Sequence, residues 1–483
     1  MIVLYRSIFK ANAACFEIMT RNCSSHKSAL FIPNRIRSQI TPCVEPYLNI
    51  EKDLKPAVND MEKSILKRLN NNRSDNLNGI INLAERLSTI EIDEDHSQKR
   101  IEEINSLLSV EKDLNVIEDL KKEMKAIRDS MKALRAERWK IEETTLLEYV
   151  RLPNLLDKNT PIDSTDEVIY DIGRKPEIKN QKYIRSHQAL FHKEIEFSEN
   201  SPTSYYLFGD AAKLELSLSW AIQDFLLGVG FHMCSGPDFT RSAIVEGCNP
   251  DINLFQEQVE NEKVFSLAPT SDFGDISTHA ATHLVGSASY ESLVSHYIKN
   301  IIINPSTSLP QKYFCCGRKY VPIQKSNDIT NSLFNVQQSS AVETIAIAKT
   351  ASSLNDQLNE IESAMLQFYE NLGLGCRFVK RNAESIKHAA TSMKISILIY
   401  SPYGEKYVEV GCLNLVSDFV SKRLLTLYEE DKELNNLYIL HGTFMDVTKM
   451  VGLVIENCQA DDYSLDEAKL KKNLSAFMKK LSS

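Results

Sequence analysis

Two stretches in the first third of the chain carry apolar residues at alternating spacings of three and four positions. The first stripe is Ile80, Leu83, Leu87, Ile90, Ile101, Ile104 and Leu108, and the second is Ile117, Leu120, Met124, Ile127, Met131, Leu134 and Ile141. Such spacing is typical of helices that pack along one apolar seam. A polar turn near residues 109–113 separates the stripes, so the pattern predicts an antiparallel helical hairpin. A helix over residues 114–148 would be roughly 50 Å long at about 1.5 Å per residue.

The pattern changes after Pro153, which disfavours further helix. From about residue 165 onward, strand-like and helical segments alternate, as in a mixed domain of sheets and helices. The predicted helices cover residues 211–227, 281–300 and 354–371, and the predicted strands cover residues 231–234 and 395–400.

Composition narrows the class of protein. The 483 residues carry a net charge of −9 and are 43% hydrophobic, which excludes fibrous and wholly disordered chains and allows two to four domains. No stretch approaches 18 apolar residues, so no membrane insertion is expected. The ten cysteines form no CxxC pair, which favours a reducing or matrix-like compartment over secretion.

The first 44 residues are basic, with one acid, Glu17, and a local charge of +5. Their cations are Arg6, Lys10, Arg21, Lys27, Arg35 and Arg37. This profile predicts a mitochondrial transit peptide over residues 1–44 and a protein of the mitochondrial matrix. A frayed terminus or a secretory signal is the alternative, but the positive charge extends beyond the short basic start of a signal. The remaining chain is acidic, so any nucleic-acid site must be a local basic patch.

One such patch lies on the second helix of the hairpin. Lys121, Lys125, Arg128, Lys132 and Arg135 follow at spacings of four and three, with Lys122 and Trp139 near the edge of this stripe. Such a stripe can follow the phosphates of an RNA. It can equally be a solvated helix face whose charge is balanced by Glu118, Glu123 and Glu137.

Other motifs predict no cofactor and no metal. His279 and His283 have the spacing of metal ligands on a helix, but no third ligand is near them. The adjacent Cys315 and Cys316 favour core packing near a strand over redox chemistry. The chain has no P-loop, GxSxG or HExxH motif.

A series of short motifs in fixed order resembles seryl-tRNA synthetase over roughly residues 80 to 460. The matching segments are Arg151–Leu155, Gly209–Glu215, Pro237, Glu246–Cys248, Pro310–Tyr313, Glu409–Val410, Asp418–Phe419, Lys422–Arg423, Gly442–Thr443 and Ile455–Gln459. The resemblance implies an α+β fold of the class II aminoacyl-tRNA synthetase type, with a six-stranded antiparallel sheet, flanking helices and an N-terminal antiparallel coiled-coil arm. The domains would be the transit peptide, an arm region over residues 45–150 and a synthetase-like domain over residues 151–483.

The departures from this family concern its ATP and serine sites. Val321 stands where the second motif has an arginine for the α-phosphate, and a three-residue shift that recruits Arg318 would put Tyr320 in place of a glutamate. The stacking phenylalanine becomes Ser339, while Glu343 is retained.

The third motif and the serine pocket depart as well. In the third motif Lys449 replaces arginine, which forfeits the planar two-pronged donor, and Thr448 replaces a glycine and should crowd a ligand. The serine-reading Thr-Ala-Glu becomes residues 287–289, Ser-Ala-Ser. Lys394, Ser396 and Leu415 replace further polar ligands, and Glu409 alone remains on the metal side.

These departures resemble a degenerate, seryl-tRNA synthetase-like mitochondrial paralogue of the kind found in insects. Such a protein would bind mitochondrial tRNA-Ser through Lys121, Lys122, Lys125, Arg128, Lys132 and Arg135, without binding ATP or charging tRNA. It would support mitochondrial translation as a dimer with mitochondrial seryl-tRNA synthetase or with a second copy. The alternative is a coiled-coil scaffold of the matrix with no RNA role. A third reading is an enzyme that uses Arg318, Glu343, Glu409 and Lys449.

Overall fold

The computed structural model describes residues 29–30, 54–68, 77–110, 113–173, 187–191, 193–198, 201–249, 264–267, 281–322 and 332–459. The chain divides into two compact units. The arm unit consists of Leu48–Leu66 and Asn70–Pro153, and the core unit holds the other described residues. Most of the predicted transit peptide, and the residues after 459, lie outside the described residues.

The described helices and strands follow one another in a mixed order after the arm. The helices are α1 (Val58–Lys67), α2 (Leu77–Val110), α3 (Leu114–Val150), α4 (His187–Leu190), α5 (Gly209–Gly228), α6 (Ser242–Cys248), α7 (Tyr290–Ser295), α8 (Pro305–Ser308), α9 (Ala351–Leu372), α10 (Phe419–Leu424) and α11 (Val447–Asn457). The strands are β1 (Glu167–Ile172), β2 (Ile195–Ser198), β3 (Ser201–Leu207), β4 (His232–Cys234), β5 (Phe239–Arg241), β6 (Phe265–Ser266), β7 (Thr282–Leu284), β8 (Ile301–Ile302), β9 (Gln311–Tyr320), β10 (Gln338–Ala348), β11 (Cys376–Lys380), β12 (Met393–Ser401), β13 (Lys406–Ser417), β14 (Leu427–Glu430), β15 (Glu433–Asn436) and β16 (Tyr438–Asp446).

The arm is the predicted antiparallel hairpin of α2 and α3. Its apolar seam is buried at Ile90, Ile104 and Met131. Ion pairs cross the hairpin and show its direction, since Arg86 near the start of α2 pairs with Glu137, and Arg100 near its end pairs with Glu123. The side chain of Asp113 accepts a hydrogen bond from the first turn of α3 and so caps that helix. The coiled-coil prediction is therefore confirmed.

The core unit is built on an eight-stranded sheet with the order β1-β11-β12-β13-β16-β10-β9-β4. The six central strands are mutually antiparallel, as the α+β class II expectation required. The sheet is wider than predicted, because β1 adds an antiparallel edge and β4 adds a parallel edge beside β9.

Side-chain alternation gives this sheet an apolar face and a polar face. On β9 and β10, Phe314, Val342 and Ala346 join the main hydrophobic cluster, together with residues of α5, α9 and α11. These helices therefore cover one face of the sheet. The intervening positions, such as Glu343, turn to the opposite face.

The single helix predicted over residues 281–300 is wrong. The structure has the strand β7 and the short helix α7, with a turn between them. Gly286 adopts a φ of +93°, and a Cβ there would lie 2.1 Å from the carbonyl oxygen of Arg318. This left-handed turn and close approach stop a continuous helix, and Ser289 then caps α7 through the Ser292 N–H.

Ala29 and Leu30, which belong to the predicted leader, are fully buried in the core unit. The N–H of Ala29 donates a hydrogen bond of 2.5 Å to Oε2 of Glu246 on α6. These two residues are thus part of the folded unit rather than exposed on its surface.

Candidate functional site

A cavity of about 610 Å³ lies on the polar face of the core sheet. Residues from β9, β10, β12, β13 and β16 line it, and α7 and α11 contribute to its walls. Among the described lining residues the fixed cations are Lys319, Lys394 and Lys449, and no arginine takes part.

Glu409, which the sequence suggested as a metal-side carboxylate, already holds a cation of the protein. Lys394 Nζ lies 2.8 Å from its Oε1, and the Ser396 hydroxyl donates to Oε2 at 2.6 Å. Burial alone would raise the pKa of Glu409, but the charge and hydrogen bond of Lys394 outweigh burial and hold the pKa below its usual range. A metal ion at this position would have to displace the ammonium group of Lys394.

Glu343 is similarly occupied and is only 1% exposed. Lys319 Nζ lies 3.4 Å from its Oε2, the Thr443 hydroxyl donates to the same oxygen at 2.7 Å, and His441 Nδ1 lies 3.2 Å from Oε1. Burial would raise the pKa of Glu343, yet the Lys319 charge and these hydrogen bonds keep the pKa lowered. In the ranges that the structure describes, no group of three metal-ligating side chains comes together.

The third lysine of the cavity is held by its own helix. Lys449 Nζ lies 3.5 Å from a carboxylate oxygen of Asp446 and 3.3 Å from the backbone carbonyl of Glu409. All three lysines of the cavity therefore contact oxygen acceptors of the chain itself. The cavity offers little uncompensated positive charge to a polyphosphate.

A stacked ring pair forms part of the cavity wall. The rings of Tyr290 and His441 lie 3.7 Å apart at an angle of 12°. Within the described residues, the Tyr290 hydroxyl and His441 Nε2 are buried without a hydrogen-bond partner. Because Nδ1 of His441 faces a carboxylate, it carries the proton and leaves Nε2 as an acceptor. Both atoms are buried inside the wall, so the ring pair contributes packing there rather than polar groups open to the cavity.

Arg318 does not reach the cavity. Its Nη1 donates to Ser340 Oγ at 2.7 Å and lies 3.3 Å from Glu215 Oε1 of α5, on the helix-covered side of the sheet. Position 321, the ungapped match to the family's arginine, is Val321 and does line the cavity. The reading that recruits Arg318 into an activation site is therefore wrong.

The sequence motifs did not indicate Lys319 as a cation of the cavity, although the alternation of side chains along a strand indicates it. Lys319 precedes Val321 by two positions at the end of β9, so both side chains point to the cavity side. Lys319 thus provides a cation on the side of the sheet where the shifted motif would have required Arg318.

One further expectation, for Thr448, is corrected, and the position of Ser289 is now defined. The side chain of Thr448 does not crowd the cavity, because it is fully buried and its Oγ1 accepts the Ser340 N–H and contacts the Tyr205 hydroxyl. Ser289, at the family's serine-reading glutamate, is only 2% exposed and donates to the Gly286 carbonyl. Both side chains serve local structure.

A buried polar clamp supports the wall near Phe334. His187 of α4 donates from Nε2 to Glu456 of α11 at 2.8 Å, while its Nδ1 accepts the Leu333 N–H at 3.1 Å. This second bond fixes the neutral tautomer of His187. Ser401 donates to the other oxygen of Glu456 at 2.8 Å, and the ring of Phe334 meets His187 edge-on at 4.7 Å.

The six predicted arm cations are all exposed on α3 and fall into two groups. Three have acidic partners: Lys122 with Glu118 and Asp119, Lys132 with Asp129, and Arg135 with Glu94 of α2. For Lys121, Lys125 and Arg128 the described part of the chain provides no ion pair. These three, at spacings of four and three, form what we call the open triad.

His283, one half of the possible metal pair, is a buried core histidine. Its Nε2 bonds Ser242 Oγ at 2.9 Å and its Nδ1 bonds Ser266 Oγ at 3.0 Å. Burial lowers the pKa of His283 to about 4. His279 lies outside the described residues.

No described helix is long and apolar enough to cross a membrane.

Comparison with known families and structures agrees with this architecture. The model of the tRNA synthetase class II core domain (G, H, P, S and T) matches residues 280–458, which contain the cavity strands. The core is a class II aminoacyl-tRNA synthetase fold. Seryl-tRNA synthetase from Pyrococcus horikoshii, solved with ATP, superposes with a TM-score of 0.74 at 16% identity, over 88% of this chain and 98% of that one. The cytoplasmic serine-tRNA ligase of Naegleria fowleri, solved with AMP, gives 0.66 at 16% identity, over 86% and 94%.

Two curated relatives are similar in sequence. The serine--tRNA synthetase-like protein Slimp of Drosophila melanogaster is 26% identical over 452 residues, covering 90% of each chain. The mitochondrial serine--tRNA ligase of Mus musculus is 26% identical over 342 residues, covering 69% of this chain and 62% of that protein. The chain thus resembles a seryl-tRNA synthetase-like protein over nearly its whole length.

Proposed function

We propose that this chain is a non-catalytic, seryl-tRNA synthetase-like protein of the mitochondrial matrix that binds tRNA-Ser through its arm and supports mitochondrial translation. It neither binds ATP nor ligates serine to tRNA. The observation that carries this proposal is the internal pairing of charge in the cavity, where Lys394 and Lys319 contact Glu409 and Glu343, the two family carboxylates that are retained.

The cavity also lacks groups that ATP needs. Phosphoryl charge is held by preorganised cations and donors, and the loss of one such donor typically costs about 3 kcal/mol of transition-state stabilisation. Here Val321 takes the place of one arginine and Lys449 that of another, while Ser339 replaces a stacking ring. These changes act together, so no useful rate of serine activation remains.

The arm supplies the RNA contact. The open triad presents three cations on one face of a rigid helix, and their charge is not engaged by carboxylates of the described residues. Contacts to phosphates release counterions from the RNA, so such a face binds tRNA without reading its sequence directly. Lys122, Lys132 and Arg135 add to the same field at its margins.

An exposed apolar face on α5 supports dimerisation. Leu216, Trp220 and Leu227 lie at spacings of four and seven on one side of the helix and are 60%, 56% and 53% exposed. The first family motif includes this helix, and its partner is either mitochondrial seryl-tRNA synthetase or a second copy of this chain. A shared surface of this kind can serve both pairings.

The proposal is tested by titrating the purified chain with ATP and Mg²⁺ and, separately, with tRNA-Ser. We expect saturable, salt-sensitive tRNA binding and no heat of ATP binding. Saturable ATP binding would overturn the assignment of the cavity.

A matched pair of triple variants tests the arm. Lys121→Gln, Lys125→Gln and Arg128→Gln together remove the open triad, and Lys122→Gln, Lys132→Gln and Arg135→Gln remove the same charge from the paired positions. Each lost phosphate contact should flatten the slope of log affinity against log salt by about 0.7–0.9. We expect a change of about 2–3 in the first variant and a smaller change in the second. If neither variant alters the slope, the arm is not the RNA site, and the coiled-coil scaffold becomes the better reading.

A further inference from the structure

The edge of the core sheet brings two cysteines side by side. In the parallel pairing of β4 with β9, Cys234 stands directly opposite Cys315. Neighbouring strands lie about 4.7–4.9 Å apart, which falls inside the Cα separation of about 4.4–6.8 Å that a disulfide requires. Both thiols are free, and their side chains interact with each other.

The two thiols differ in access and in environment. Cys234 is partly exposed on the outermost strand, whereas Cys315 is only 1% exposed. Cys315 also receives the backbone N–H of Gly236 and the hydroxyl of Ser287. The Cys234 thiol donates to the Phe314 carbonyl at 3.4 Å, and rotation about its Cβ–Sγ bond turns the same proton toward the Cys315 sulfur.

These donors favour a thiolate at Cys315. The hydrogen bond from Cys234 lowers the pKa of Cys315 to about 7, with help from Gly236 and Ser287 and against the effects of burial and of the Asp238 charge. The same interaction, together with burial, raises the pKa of Cys234. A thiolate with a thiol beside it is the arrangement of an attacking and a resolving cysteine.

We propose that Cys234 and Cys315 form a reversible disulfide when the chain meets hydrogen peroxide. The Cys315 thiolate attacks one peroxide oxygen, the O–O bond breaks, and the leaving hydroxide takes a proton to give water. Cys234 then attacks the sulfenic sulfur, the S–O bond breaks, and the departing hydroxide leaves as water with the Cys234 proton. Two thiols lose two electrons and two protons in total, and one peroxide becomes two waters.

The neighbouring Cys316 provides the matched control. It is adjacent to Cys315 in sequence but points to the opposite face of β9, where it hydrogen-bonds Ser219 of α5. Its pKa is raised by burial, which disfavours its thiolate. Cys316 should therefore take no part in the disulfide.

The test treats the reduced full chain with hydrogen peroxide, blocks the remaining thiols with N-ethylmaleimide and maps the peptides by mass spectrometry without reductant. We expect a Cys234–Cys315 linked peptide that disappears with dithiothreitol. It should form roughly tenfold faster than the oxidation of Cys376, which is equally buried but whose pKa is raised by burial. Cys234→Ser should abolish the link and leave a sulfenic acid at Cys315 that dimedone traps, while Cys316→Ser should keep the link. Absence of the linked peptide from the wild-type chain, or a dominant link through Cys316, would overturn the proposal, and neither outcome depends on how a variant folds.

Discussion

The buried clamp of His187 and Glu456 should contribute strongly to the stability of the core unit. In His187→Ala, Glu456 loses a charge-assisted hydrogen bond worth about 1.5–3 kcal/mol, and the Leu333 N–H is left without an acceptor at about 1–3 kcal/mol. The lost edge contact with Phe334 adds about 1 kcal/mol. The sum is about 5 kcal/mol, which is comparable to the whole stability of many domains.

The assay is thermal unfolding followed by circular dichroism. At about 2–4 °C per kcal/mol for a unit of this size, His187→Ala should melt about 10–20 °C below wild type. The exposed His296 offers a control, and His296→Ala should melt within about 2 °C of wild type. If His187→Ala also melted within about 3 °C of wild type, the hydrogen-bond accounting for the clamp would be wrong.

A substitution on α11, at Gly452, tests the same clamp. A Cβ at Gly452 would lie 2.7 Å from His187 Cε1 and 3.1 Å from the Phe334 ring, so Gly452→Ala should destabilise the chain by overpacking. In the double variant with His187→Ala, the new methyl group enters the vacated space. The two effects should therefore be less than additive, whereas strict additivity would show that the residues do not share a site.

Three further predictions follow from the described contacts. If the proposed dimer forms through the exposed face of α5, Trp220→Glu should give a monomer in light scattering, while Leu434→Glu, at another exposed apolar position, should not. His283 takes up a proton near pH 6.5 when unfolded but near pH 4 when folded, so wild type should lose about 3 kcal/mol as pH falls through that window, and His283→Gln should flatten the stability–pH curve measured by urea unfolding there. Lys394→Met should free Glu409, so that Mn²⁺ raises the melting temperature of the variant but not that of wild type; an equal response of both proteins would contradict the cation assignment.

The arm could be predicted because its signal is local. Apolar residues spaced three and four positions apart determine which faces of α2 and α3 pack together. This pattern can be recognised without knowing the positions of distant residues. Two helix ends also lie close to the predicted positions, since α3 begins directly after the predicted turn and α9 ends one residue beyond the predicted end, before the left-handed Gly373. In these segments the local sequence preferences and the tertiary packing favour the same structure.

The cavity could not be predicted in full, because its contacts depend on strand register. Glu409 stands opposite Leu398 yet bonds Lys394 and Ser396, since a β-bulge shifts the pairing of β12 with β13. No spacing within one strand reveals such a shift. Arg318 faces the helices for a simpler reason, because the alternation of β9 places it on the same side as Phe314 and Cys316.

Because Ala29 and Leu30 are buried, the position of any proteolytic cut in the N-terminal segment would change the stability of the core unit. A protease that cuts at the predicted boundary after residue 44 would remove two fully buried side chains and leave Glu246 without the Ala29 N–H. A cut upstream of Ala29 would instead leave that packing in the finished protein. The melting temperatures of chains that begin at residue 29 and at residue 45 should therefore differ, and the chain that keeps Ala29 and Leu30 should melt higher.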